Sequence, residues 1–244
     1  NALRAHGREF NNIYGPSDPE QIRAQQVGYY ACITHIDYQI GRLIQTLTDD
    51  GSLSDTIIMF ISDHGEMLSD HCFIRKSLPY RGSANIPFIV SGPGVRCGAV
   101  SQSVVELRDV LPTLVELGGG EVPESIEGLS LKGELTDGTP ISRGFVHGEH
   151  TYGSLGNHFI VTAHDKYVWF TQSNCPLGRE QYFDLDKDPD EKHNAINDEQ
   201  YAARIAEMRG WLIEELEGRP EGYVQDGKLV GDCAEMPWIG DCER

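Results

Sequence analysis

Between Pro19 and Leu47 the apolar residues Tyr29, Ile33, Ile36, Ile40, Leu43, Ile44 and Leu47 step by three and four. This predicts one long amphipathic helix, started by Asp18-Pro19 and stopped by Asp49-Asp50-Gly51. Thr56 to Ile61 (TIIMFI) then runs apolar and β-branched with almost no alternation, which predicts a strand buried on both faces of a parallel sheet. A second short strand, Ile86 to Val90, closes on Gly92-Pro93-Gly94, and Asp109 to Leu117 follows as a helix ended by Gly118-Gly119-Gly120. Pro112 fits the first turn of that helix if Arg108 or Asp109 caps it. From about Gly138 the pattern changes to short strands without helices: Phe145 to His147, Phe159 to Ala163, Tyr167 to Thr171 and Gln181 to Leu185. These predict an antiparallel sheet of about four strands, covered by a helix from Asp198 to Leu216 that presents Ile205, Met208, Trp211, Leu212 and Leu216 on one face. Asn1 to Ser17 reads as a linker or edge loop, and the stretch after Gly218 as a polar tail with Trp238 its only large anchor.

Composition narrows the classes. The chain has 244 residues, 39% hydrophobic and 24% charged, which suffices for a real core. No apolar run approaches the ~20 residues of a membrane span. A net charge of -18 argues against nucleic acid or an anionic membrane as the main partner, since both reward clustered Lys and Arg. The six cysteines show no metal-knuckle spacing, and only Cys233 and Cys242 lie close enough to invite a local bridge. The chain begins at Asn1 with no charged-then-apolar leader, so localisation stays open between secreted or periplasmic and cytoplasmic.

The stretch from Ser62 to Ser83, SDHGEMLSDHCFIRKSLPYRGS, gathers acid, imidazole and cation at the carboxyl end of a predicted strand, where open α/β sheets bind ligands. Asp63 and His64 can turn a carboxylate oxygen and an imidazole nitrogen toward one divalent cation. The alternative is a helix N-cap by Ser62 or Asp63 with His64 merely exposed. Gly65 permits the tight backbone of a site. Asp70-His71 repeats the pair seven residues on, ~10 Å along a helix and too far for the same ion, so Asp70 reads as structural. Lys76, flanked by Arg75 and followed by Arg81, can hold a tetrahedral oxyanion beside such a metal; without the Asp-His pair the cluster would read as solvated charge. His35 and Asp37 read as ordinary helix residues. His147, Glu149 and His150 (HGEH) offer a substrate or metal edge, against a polar strand rim. Asp184-x-Asp186-x-Asp188-x-Asp190 fails as an EF-hand, with Pro189 and Ala195 where Gly and Glu are needed, and Asp188-Pro189-Asp190-Glu191 reads as a solvated turn leading into the last helix. No G-x-S-x-G elbow, P-loop or dinucleotide glycine turn occurs.

The run ISDHGEMLSDHCFIRKSLPYRGSANIPFIVSGPG resembles the second half of a sulfatase, in the alkaline phosphatase superfamily. GYYACITHIDYQIGRLIQTL upstream and LRDVLPTLVELGG, DKYVWF and EQYFDLDKDPDEKHN downstream extend the resemblance to about Leu216. It implies an α/β fold, part of an alkaline-phosphatase-like mixed sheet flanked by helices over residues 1–138. A small C-terminal antiparallel sheet with a covering helix follows over 139–218, and then a tail, 219–244. It implies that Asp63 and His64 ligate a divalent metal and that Lys76 contacts the sulfate and its bridging oxygen; Arg81 and His150 are read beside these as substrate-binding candidates. The resemblance implies calcium first; many sulfatases carry Asn where this chain has His64, and because calcium prefers oxygen ligands the imidazole keeps manganese open. Close relatives usually show Glu at the position of Arg81. The family's formylglycine nucleophile arises in a C/S-x-P-x-R motif that this chain lacks; Cys175-Pro176-Leu177-Gly178-Arg179 has the wrong spacing.

The resemblance therefore implies a C-terminal fragment of a sulfuric ester hydrolase, inactive alone. Its expected partners are a sulfated small molecule or glycan and the missing N-terminal half, whose uncovered docking surface would favour homo-oligomers. The rivals are a phosphonate or phosphodiester hydrolase of the same superfamily and a non-catalytic sulfatase-like binding module.

Overall fold

The structure is a computed structural model that describes residues 15–16, 18–150, 156–175 and 177–232. These residues form two compact units. One comprises the described residues up to Lys76 together with Tyr80–Arg143; the other comprises Ser77–Pro79 and the described residues from Gly144 onward. The chain is α/β, with flanking helices and a small C-terminal antiparallel sheet, and every strand pair among the described residues is antiparallel.

In the first unit, α1 (Pro19–Asp49) starts as the pattern predicts: Asp18 accepts a hydrogen bond from the Glu20 amide and Pro19 fills the first turn. None of its residues is buried, although Tyr29, Ile33, Ile36 and Leu43 belong to its predicted apolar face. Strand β1 (Ile58–Ile61) pairs with β2 (Phe88–Ser91), and the pairing is antiparallel, which corrects the expectation of a parallel neighbour. Nor is β1 buried on both faces, because Phe60 and its cross-strand partner Ile89 are exposed. Between the strands lies the one-turn helix α2 (Arg81–Ala84).

Helix α3 (Val110–Leu117) is preceded by a 3-10 turn, Leu107–Asp109, and Asp109, one of the two expected caps, stands at its N-cap without a side-chain cap bond to α3 itself. Glu106 forms a reciprocal capping box with Asp109, whose Oδ2 accepts the Glu106 amide at 2.9 Å. The Asp109 carboxylate is fully buried, accepts the Leu129 amide at 2.8 Å and is gripped by both terminal nitrogens of Arg143 at 2.5 and 2.7 Å. The short helix α4 (Lys132–Thr136) follows.

The second unit holds the predicted four-stranded sheet: β3 (Val146–His150), β4 (Asn157–Val161), β5 (Asp165–Phe170) and β6 (Glu180–Asp184), antiparallel throughout and in that order. Helix α5 (Ala202–Leu216) covers one face, burying Ile205, Met208, Leu212 and Leu216 against Ile160, Tyr167, Trp169 and Tyr182. Trp211 is only partly buried and stacks on Phe145 at 5.0 Å. Two expectations fail here. The Asp188–Glu191 turn is not wholly solvated, because Glu191 is buried and pairs with Lys166, whose Nζ also donates to the Pro79 carbonyl. The stretch after Gly218 is not a mere tail: Tyr223 enters the core, and β7 (Val224–Gln225) and β8 (Lys228–Leu229) form a hairpin across Asp226-Gly227. Trp238, Cys233 and Cys242 lie outside the described residues, and so do most of residues 1–17.

Candidate functional site

No helix starts at Ser62 or Asp63, so the capping alternative falls. Ser62 Oγ instead donates to the His64 carbonyl at 2.5 Å, and Asp63 Oδ1 accepts the His64 amide at 2.9 Å. His64 Nδ1 lies 2.8 Å from the Gly65 carbonyl. A carbonyl can only accept, so this contact puts the proton on Nδ1 and leaves Nε2 as a lone-pair donor to a cation. That nitrogen lies 3.5 Å from Asp63 Oδ2, and both side chains are solvent-accessible. The pair thus presents one imidazole nitrogen and one carboxylate oxygen, with the imidazole already oriented by a backbone oxygen, as metal-bound histidines usually are. The donor set fits a divalent cation.

The backbone beyond it is unusual. Leu68, Ser69, His71, Cys72, Arg75 and Ser77 all have left-handed φ, between 48° and 79°. Each such residue costs on the order of 1 kcal/mol, and clusters of them mark functional loops. Two buried side chains, Met67 and Phe73, anchor the loop. The Met67 amide donates to the Arg75 carbonyl at 2.8 Å and the Ser69 amide to the Phe73 carbonyl at 2.7 Å. Glu66, which the sequence reading passed over, accepts the amides of Leu68 and Arg75 and so fixes the residue before Lys76.

Gly65 explains how the pair and α2 come together. Its amide donates to the Ser83 carbonyl at 2.8 Å, and a Cβ there would stand 2.1 Å from the Gly82 carbonyl oxygen. Only glycine permits that approach. Arg81 opens α2 and Lys76 ends the strained loop, so backbone bonds link the Asp63–His64 segment to the segments bearing both cations. Asp70 opens the 3-10 turn Asp70–Cys72, and the His71 ring stacks on Tyr80 at 4.4 Å, which is a structural use of that second pair.

In the second unit the HGEH segment divides. Strand parity sends His147 and Glu149 to one face and His150 to the other. His158, opposite Glu149 across the β3–β4 ladder, joins the first two instead. The sequence showed that His147 and Glu149 share a face, but His158 could be found only from the register. Hydrogen bonding from His158, with Arg219 also bonded, outweighs burial and holds the Glu149 carboxyl far below the usual range. Burial lowers the pKa of His150.

Comparison with known proteins follows the same segments. The family model described as Sulfatase matches residues 6–120, and that described as N-sulphoglucosamine sulphohydrolase, C-terminal, matches residues 69–217. An arylsulfatase of Clostridium perfringens (strain 13 / Type A) is 45% identical over 228 residues, covering 92% of this chain and 47% of that protein. A solved structure of a protein in complex with its substrate D-glucosamine-2-N,6-O-disulfate is 28% identical with a TM-score of 0.69, over 75% of this chain and 38% of that one. The phosphonate monoester hydrolase of Silicibacter pomeroyi is 26% identical with a TM-score of 0.72, over 82% of this chain and 42% of that one. The chain therefore spans less than half the length of each of these three relatives.

Proposed function

Because the chain belongs to the sulfatase family, we propose that it supplies part of the metal site and the leaving-group cation of an enzyme that hydrolyses sulfate esters of small molecules or glycans. The observation that carries this is the Asp63–His64 pair, with its lone-pair atoms 3.5 Å apart and His64 oriented by the Gly65 carbonyl. Asp63 and His64 would hold a divalent cation, calcium first as in the family, with manganese kept open by the imidazole, since calcium prefers oxygen ligands. When bound, that ion supplies positive charge to the sulfate oxygens.

The chain's own residues account for the rest of its share. Lys76, an exposed ammonium on the strained loop, would donate to the bridging oxygen as the sulfur–oxygen bond lengthens and charge builds on the leaving group. Glu66 and the Met67–Arg75 hydrogen bond fix the backbone that carries it. Arg81 would contact the substrate's other groups. The formylglycine nucleophile and the remaining metal ligands would reside on residues beyond these 244, and the chain alone would not turn over substrate. The exposed apolar face of α1 would be covered by that remaining part.

A second reading, phosphonate ester hydrolysis, is supported by the likeness to a phosphonate monoester hydrolase. The test is the complete protein, with the coding sequence upstream of Asn1 included, assayed against an aryl sulfate and an aryl phosphonate monoester side by side. The expected result is an in-frame C/S-x-P-x-R motif and faster sulfate turnover. Faster phosphonate turnover would select the second reading. A folded, metal-loaded protein without either activity would leave a binding module.

A further inference from the structure

A second convergence of ligand-type atoms lies on the α5-facing side of the C-terminal sheet, built from residues that the proposed reaction does not use. Glu149 stands directly opposite His158 across β3 and β4, and His147 is two residues along β3 on the same face. His147 Nε2 lies 3.2 Å from His158 Nδ1, and Glu149 Oε2 lies 3.3 Å from the same nitrogen. All three ligand atoms fall within 4.8 Å of one another. A tetrahedral ion with bonds of 2.0–2.1 Å separates its ligand atoms by about 3.3 Å, so two of the three spacings already match.

The proton count points the same way. His147 Nδ1 has the Glu215 carboxylate 3.8 Å behind it, the outer position from which a carboxylate orients a metal-bound imidazole, and its Nε2 faces the cluster. The Glu149 carboxylate faces His158 Nδ1 as an acceptor. One proton on His158 Nδ1 can serve His147 or Glu149 but not both fully, whereas a cation would engage all three groups at once. His158 is fully buried, with Trp169 and Tyr223 rings around it, and its Nε2 has no hydrogen-bond partner among the described residues. The ring is held for its position on Nδ1 rather than for a structural bond through Nε2.

We propose that His147, Glu149 and His158 form a binding site for a divalent transition-metal ion of the zinc class, open to solvent on the side of Glu149. Two imidazoles and one carboxylate are the donor set of such ions and not of calcium or magnesium, which take oxygen ligands. Three protein ligands leave a fourth position for water or a ligand group. Arg219 competes for the site, because its guanidinium bonds both oxygens of Glu149, at 2.6 and 3.3 Å.

The test uses cobalt(II) as the probe, titrated into the full chain carrying Asp63→Ala and His64→Ala so that the other nitrogen–oxygen pair does not report. The expected result is one equivalent bound, with the visible d–d absorption of a four-coordinate ion, no thiolate charge-transfer band, and displacement by zinc. His147→Gln should weaken binding at least 10-fold, the usual effect of losing a ligand or its orienting partner. Arg219→Gln should strengthen it several-fold by releasing Glu149, and this arm stands even where His147→Gln fails to fold. Absence of the visible band, its persistence in a folded His147→Gln chain, or thiolate charge transfer in its place would overturn the proposal.

Discussion

The two units close their apolar surface in opposite ways. In the C-terminal unit the sheet and α5 bury Tyr167, Trp169, Met208, Leu212 and Leu216 almost completely. In the first unit few apolar side chains are buried among the described residues, Met67, Phe73, Tyr80, Pro112 and Leu131, while α1 leaves Tyr38 66% and Leu43 60% exposed. The first unit is held by hydrogen bonds and ion pairs instead: the Glu106–Asp109–Arg143 lock, the Thr113 hydroxyl that accepts the Leu131 amide, and the backbone ladder of the 63–83 loop. One unit carries its own core. The other leaves the apolar face of α1 exposed and carries the residues of the candidate site.

That contrast can be broken by mutation. Trp169→Ala removes a fully buried ring from the C-terminal core and should cost about 3–5 kcal/mol in urea unfolding, with a loss of native structure throughout the sheet. A cost below about 1 kcal/mol would mean that this unit is not packed as described. Arg143→Ala leaves the Asp109 carboxylate buried and unpaired, and should cost about 3 kcal/mol, felt in the first unit.

The same lock predicts a pH dependence. Burial pushes the Asp109 carboxyl up, but the Arg143 guanidinium and the amides of Glu106 and Leu129 outweigh it and leave its pKa below the ordinary value. The folded pKa is therefore depressed, so the stabilisation is full above the unfolded pKa, about 3.9, and is lost as pH falls through the folded value. Asp165, held by Arg204 against its own burial, acts in the same direction. Unfolding free energy should fall steadily below pH 4, and Asp109→Asn should flatten that slope while lowering stability at neutral pH.

The smallest effect sharpens the comparison most. Ile33→Ser on α1 should change the stability of this chain by less than about 0.5 kcal/mol, because the side chain is half exposed here. In the complete protein the same change should cost at least 2 kcal/mol, if that face is covered. Equal small effects in both would deny that α1 has a missing partner.

Much of this was legible in the residues. The shift from helical period to short alternating runs gave the C-terminal sheet, and the spacing of Ile205, Met208, Leu212 and Leu216 gave its covering face. Asp63 and His64 stood out because they end an apolar strand. What stayed hidden depended on distant partners. No local signal places His158 opposite Glu149, since the β3–β4 register is set by packing across the sheet. Glu191 looks solvated until Lys166 meets it. The parallel pairing expected of β1 failed because an apolar run reports burial and not strand direction. The left-handed run from Leu68 to Ser77 contains no glycine, so the sequence gives no hint that the loop before the candidate cation is strained.

The most direct test of the central claim is aryl sulfate turnover by the complete protein with Lys76→Ala, measured beside its thermal unfolding. Lys76 is exposed and makes no core contact, so the midpoint should not move, while kcat should fall by about 10²–10³, as for other donors to a developing oxyanion. An unchanged kcat with a normal midpoint would contradict the account, and the strained loop would then need another purpose.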